Sequence, residues 1–360
     1  MFLLEKVMRG SDSNAGPMFV YVTTEHFVPK KHPLRTLKPL VDTALSKLDR
    51  EFDALYSSSG RPSVPPEYLL RGLVLQFLYS IRSFPMLMDR IHSDMAFRWF
   101  IGLSIDDAVW DQSVFSYNQN RLIKADIACR FLEEVNQQAK RKGLLSSDHF
   151  SVDGTLLESL ASIKSFRPMD DDSDKPSGDF TGEKLSNKTH RSSTDPDARL
   201  YKKSKGASAK LSVMGHAMSE NKNGFITQAE VTQADGKAER AAAKQMIIRQ
   251  KGHLKKKITV GADKAYDTRD HVDDLRELGV TPHVASKKKG TAIDGRTTRH
   301  ASYQQSIKDR KKIEEFFGWA KVIAGFRKLR HVGLEKINFY FTLAAGVFNL
   351  VKLRNIVAQT

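Results

Sequence analysis

The strongest constraint on this chain is a change of periodicity at Leu144. Before it the pattern is helical from Leu34 on, while residues 1–35 show little periodicity, with Met8 and Met18 as alternative starts. The stripe Leu37, Leu40, Val41, Ala44, Leu45, Leu48 and Phe52 predicts one amphipathic helix. After the break Ser57-Ser-Ser-Gly-Arg-Pro-Ser-Val-Pro-Pro66, a strongly apolar helix is expected over 67–82, opened by Pro66. Further helices read at about 85–93, 95–102, 112–122 and 125–142. Beyond Leu144 the chain alternates: a strand at His149-Phe-Ser-Val-Asp-Gly-Thr-Leu-Leu157, strands at 209–219 and 224–233 joined by the hairpin signal Glu220-Asn-Lys-Asn-Gly224, then helix 237–251, strand 257–263, helix 268–279 and strand 281–286. Two helices close it, one around 310–321 and one at 334–356. A hairpin-joined trio of strands followed by alternating helices predicts a mixed sheet, preceded by an all-helical domain over 1–142. Residues 164–206 are polar and poor in aliphatics, and read as a long mobile loop within the second domain, 143–360.

Composition narrows the function classes. The formal net charge is +16, which favours a polyanionic partner, although an acidic substrate or a membrane surface fits the same number. Cys129, the only cysteine, excludes an intramolecular disulfide framework and a CxxC zinc module, as expected of a reducing cytosol. No HExxH or GxxxxGK[ST] motif occurs. The apolar stretch from Ile337 to Val351 is interrupted by Asn338, Thr342 and Asn349 and reads as a buried helix, so a soluble, intracellular protein is expected.

Three acids stand in unusual settings. Asp153 lies inside an apolar strand, where a lone carboxylate costs several kcal/mol unless it is paired or holds a metal; its plainer role is an Asp-Gly turn. Asp263 ends the strand Ile258-Thr-Val-Gly-Ala-Asp263, with helix capping as the plainer role, one that Asp267 and Thr268 fill better. Glu314 belongs to Arg310-Lys-Lys-Ile-Glu-Glu-Phe-Phe-Gly-Trp-Ala-Lys321, where ~100° per residue puts Arg310, Glu314 and Lys321 within roughly 40° of one another beside an apolar stripe. Tyr303 joins them if the helix extends that far back. The alternative is a solvated Arg310–Glu314 pair at i, i+4. Two strand-borne aspartates and a helix-borne glutamate suit two Mg²⁺ ions, with Mn²⁺ as substitute, for in-line phosphoryl transfer. Arg310 and Lys321 would grip adjacent phosphates, and Trp319 either stacks on an unpaired base or fills the core. The segment 112–122, with Arg121 at its end, is either a helix-turn-helix recognition element or a polar surface helix.

These stretches resemble the DDE transposases of the insertion-sequence-five type. The resemblance rests on Val152-Asp-Gly-Thr155, Gly261-Ala-Asp-Lys-Ala-Tyr-Asp267 and the Arg-x3-Glu-x6-Lys register of 310–321, supported by Thr189-His-Arg-Ser-Ser-Thr-Asp-Pro-Asp-Ala-Arg199, Met214-Gly-His216, Val28-Pro-Lys-Lys-His-Pro-Leu34 and Arg354-Asn355. It implies a ribonuclease-H-like core, a mixed five-stranded sheet flanked by helices, with Asp153, Asp263 and Glu314 as the metal-binding triad. It also implies an N-terminal helical domain for terminal inverted repeats, a homodimer assembled on DNA, target DNA as second substrate, and a bacterial cytoplasmic protein at the nucleoid. The family's tyrosine, three residues before the arginine, is Ile307 here, with Tyr303 one turn earlier as its substitute. A structure-specific nuclease of the same fold and a catalytically silent, transposase-derived DNA-binding protein are the competing readings.

Overall fold

The computed structural model describes residues 21–56, 59, 62–169, 185–202, 206–254 and 256–358. Among these residues eight helices come first: α1 (Thr24–Phe27), α2 (Leu34–Leu45), α3 (Asp49–Leu55), α4 (Pro66–Leu78), α5 (Phe84–Ser93), α6 (Met95–Ile101), α7 (Ser113–Lys124) and α8 (Ile127–Arg141). The stripe from Leu37 to Phe52 is therefore two helices. The chain tightens at Ser46, whose hydroxyl bonds back to the Thr43 carbonyl, and the Leu48 amide closes a short turn on Leu45 at 2.8 Å. Local chemistry sets the other boundaries. Pro66 opens α4, the Asp94 carboxylate caps α6 at the amides of Ala96 and Phe97, and Gly102 ends α6 at φ 104°.

The second half contains β1 (His149–Glu158), β2 (Phe166–Pro168), β3 (His190–Ser192), β4 (Arg199–Tyr201), β5 (Lys210–Glu220), β6 (Ile226–Gln233), α9 (Ala238–His253), β7 (Thr259–Ala262), α10 (Arg269–Glu277), β8 (Thr281–Val284), α11 (Gly295–Thr298), α12 (Ala301–Asp309), α13 (Lys312–Val322) and α14 (Leu334–Val357). β6, β5 and β1 form an antiparallel meander, and β7 and β8 continue the sheet parallel to β1. The resulting order, β6-β5-β1-β7-β8, is ribonuclease-H-like. β4 adds a short sixth strand beside the start of β5. At the β5–β6 turn the buried Glu220 carboxylate accepts from the amides of Ser146, Lys222, Asn223 and Phe225, with Gly224 at φ 77° completing the reversal.

The described flanks of the expected mobile loop are built structure. β2 pairs with β3, Asp195 is buried and accepts from the Ser159 hydroxyl at 2.7 Å, and Asp197 accepts the first amide of α14, Leu334, at 3.1 Å. The polar composition there reflects capping work, which a composition argument mistakes for solvation. The remainder of that loop, 170–184 and 203–205, lies outside the described residues, as do both alternative starts, Met8 and Met18.

α14 is the spine. It is apolar on nearly every side and is packed by α8, α2, α4, α13 and β6, so one hydrophobic core runs from the N-terminal helices to one face of the sheet. Gly346 permits the closest approach: a Cβ there would sit 2.9 Å from the Phe131 ring of α8. The three polar residues that interrupt the apolar stretch of α14, Asn338, Thr342 and Asn349, all face β6. Asn338 accepts from the Val231 amide, the Thr342 hydroxyl donates to the Ala229 carbonyl, and Asn349 bonds both the amide and the carbonyl of Ile226. The helix thus occupies backbone groups that β6 leaves unpaired at the edge of the sheet. No helix among the described residues is long and apolar enough to cross a membrane.

Candidate active site

Register brings the first two acids together. β1 and β7 run parallel with Ser151 beside Gly261, and Asp263, still extended just past the end of β7, continues that register toward Asp153. The two charges interact: burial, reinforced by Asp263 and Glu239, pushes the Asp153 carboxyl up to about 6, against the lowering effects of the Gly154 amide and Arg310. Asp263 also caps the short turn that follows, accepting from the Ala265 amide at 2.7 Å.

The face of β1 that carries Asp153 also carries Thr155 and meets α13. Arg310 Nη1 lies 3.6 Å from Asp153 Oδ2, and Nη2 lies 3.7 Å from Glu314 Oε1. Lys321 Nζ donates to Thr155 Oγ1 at 2.5 Å. The Arg310, Glu314, Lys321 register therefore lands on the strand of the first aspartate. Among the described residues no three acidic, histidine or cysteine side chains stand in a metal-holding group. The Arg310 guanidinium instead bridges two of the three acids, and Glu314 is otherwise solvated, its side chain 58% exposed.

Three expected DNA contacts need correction or restatement. Tyr303 does not join the cluster. α12 ends at Asp309 before α13 begins at Lys312, and Tyr303 is buried with its hydroxyl donating to the Val284 carbonyl and accepting from the Ser286 amide. Its phenol is a structural link to β8. Trp319 packs against the core with its ring 5.8 Å from Phe348, the core-filling alternative of the two considered. Arg121 does project from α7, its guanidinium held over the rings of Tyr56 and Tyr117 at 5.3 and 5.0 Å.

Glu239 is the residue that sequence reasoning missed. It lies in the first turn of α9, and a Cβ at Gly154 would fall 2.9 Å from its Cγ. Burial and the charge of Asp263 raise its carboxyl above the ordinary range. It carries no hydrogen bond or ion pair among the described residues. An acid at the start of a helix is ordinary in sequence, and only Gly154, the glycine after the strand aspartate, hinted that another group comes close.

Two family models match the chain: a transposase domain of the DUF772 type over residues 22–121, and a transposase DDE domain over 181–350, which includes Asp263 and Glu314. Together they match most of the chain and leave out 122–180, where α8, β1 and Asp153 lie. The chain belongs to the DDE transposases. Solved transposase structures are similar only at a distance. A piggyBac transposase synaptic complex with hairpin DNA is 11% identical, with 94% of this chain and 78% of that chain covered at a TM-score of 0.41. The Mos1 strand transfer complex is also 11% identical, with 79% and 87% covered at a TM-score of 0.21. For this transposase, family and topology carry the assignment, and those superpositions add nothing to it.

Proposed function

We propose that this transposase binds the terminal inverted repeats of its element, cleaves the DNA at the element ends and joins the freed 3′-hydroxyl to target DNA. The observation that carries the reading is the convergence on β1 of Asp153, its neighbour Asp263, Arg310 just before α13, paired with both Asp153 and Glu314, and the Lys321–Thr155 contact from α13. The net charge of +16 suits a duplex partner, and the α7 face bearing Arg121 and the exposed Tyr117 is a candidate DNA contact. Joining two ends in one complex calls for two copies of the chain.

Asp153, Asp263 and Glu314 are the residues that would hold divalent cations. They offer hard oxygen donors and no sulfur or imidazole, the set that suits Mg²⁺ or Mn²⁺. The raised Asp153 carboxyl is negative charge that its surroundings leave undercompensated, as a cation site requires. Two bound ions would activate the attacking oxygen and stabilise the leaving one. The protein's own part is positional: Arg310 and Lys321 present cationic donors to phosphates flanking the reacting one, and the packed α13–α14 pair holds them in register with β1.

The test is incubation of the purified chain with Mg²⁺ or Mn²⁺, a labelled duplex bearing the end of its element, and a supercoiled plasmid. Joined products that disappear with Glu314→Gln are expected. Nicking without joining would favour a nuclease, and end binding without metal-dependent chemistry would favour a silent DNA-binding protein.

A further inference from the structure

We propose that Arg310 is an internal counter-ion of the carboxylate site, so that DNA phosphate must draw its guanidinium away before divalent cations load fully. The inference rests on the active-site reading above and concerns the regulation of that site. The guanidinium lies between Asp153 and Glu314 at 3.6 and 3.7 Å, close enough for ion pairing and too far for hydrogen bonds. Its side chain is only 18% exposed, and its Nε is buried with no hydrogen-bond partner among the described residues. A group so placed offsets part of the charge of two acids without satisfying its own donors. No hydrogen bond fixes its guanidinium among the described residues, and a better acceptor displaces it.

A DNA phosphate is such an acceptor. It takes paired N–H donors from one guanidinium, including the Nε that has no partner here. Lys321, on the same face of β1, adds a second positive charge toward the same anion. Moving Arg310 from carboxylate to phosphate bares Asp153 and Glu314 together, and removes a positive charge that repels any incoming cation. In the free protein, then, Arg310 and the metal compete for the same acids; on DNA they have separate partners. By linkage, metal must tighten phosphate binding by the same factor that phosphate tightens metal binding. The device keeps metal chemistry off until the substrate is in place.

The test is Mn²⁺ binding to the full chain, read by calorimetry or by the loss of the free-ion spin-resonance signal, with no DNA present. Arg310→Gln is expected to bind Mn²⁺ about tenfold more tightly than wild type, and Arg310→Lys, which keeps the charge, to stay close to wild type. Adding a short duplex should tighten Mn²⁺ binding to wild type and have a much smaller effect on Arg310→Gln. Asp153→Asn should abolish the binding in every background. Should Arg310→Gln not fold, Arg310→Met replaces it, and the duplex effect on wild type and Arg310→Lys is read alongside. Mn²⁺ affinity in the DNA-free Arg310→Gln protein equal to or below that of wild type, with Asp153→Asn still abolishing it, would overturn the counter-ion role and leave the active site standing. Binding that ignores Asp153→Asn would overturn the site itself.

Discussion

Asp153 and Gly154 show how much one position carries. Burial and neighbouring acids hold the Asp153 carboxyl at about 6 against an ordinary 3.8, so the fold disfavours its charged form. Stability from this group is fully present below about pH 4 and lost as pH rises through 6, at most about 3 kcal/mol by pH 8. Asp153→Asn should therefore raise the urea-unfolding free energy of metal-free protein at pH 8 and leave it nearly unchanged at pH 4. A stabilisation independent of pH would rule out the ionisation argument. Gly154 must be small because Glu239 lies where its side chain would be. Gly154→Ala should cost about 1–3 kcal/mol, and Glu239→Ala in the same chain should recover most of it. A double-mutant cycle in urea reads that coupling, and additive losses would refute it.

At the scale of elements, α14 and β6 depend on each other. Asn349 is fully buried, bonds the Ile226 amide and carbonyl, and donates to Asn136 of α8 at 2.8 Å. Asn349→Leu keeps the branched shape in a larger side chain and strands the Ile226 amide and Asn136 Oδ1, while the Ile226 carbonyl keeps the Asn136 amide; it should cost about 2–4 kcal/mol. Chemical denaturation measures it, and a loss below half a kilocalorie would mean that water replaces the amide. α13 behaves differently. It is fixed by Phe316, which packs on Phe341 and Phe348 of α14, while Glu314 and Lys321 lie away from that contact, Glu314 in solvent and Lys321 against Thr155 of β1. Rigidity and chemistry are thus divided between two faces of one short helix.

Across the whole molecule, buried histidines govern the response to acid. Burial pulls His216, His271, His283 and His331 down to about 4, and His271 has no hydrogen-bond partner on either ring nitrogen among the described residues. Their neutral forms stabilise the fold above the ordinary imidazole value of 6.5, and that contribution is lost as pH falls from 6.5 through 4. The melting temperature should drop by roughly 5–10 °C between pH 7 and pH 4.5, outweighing the opposite trend of Asp153. A melting temperature flat over that interval would contradict the burial argument. The sequence by itself determined the main helices and strands, Asp153 within a strand and Asp263 at the end of one, and the Arg310, Glu314, Lys321 spacing, because these follow from periods of two and 3.6 residues and from side chains a turn apart. Only the tertiary structure decided the rest. It buried Tyr303 under β8, turned Trp319 into the core, set Glu239 against Gly154 and used Asp195 and Asp197 to anchor a segment that reads as loose. It also laid α14 as one spine through both halves of the chain. Each of these contacts joins residues far apart in sequence, and strand register and helix packing set such distances, which local periodicity cannot encode.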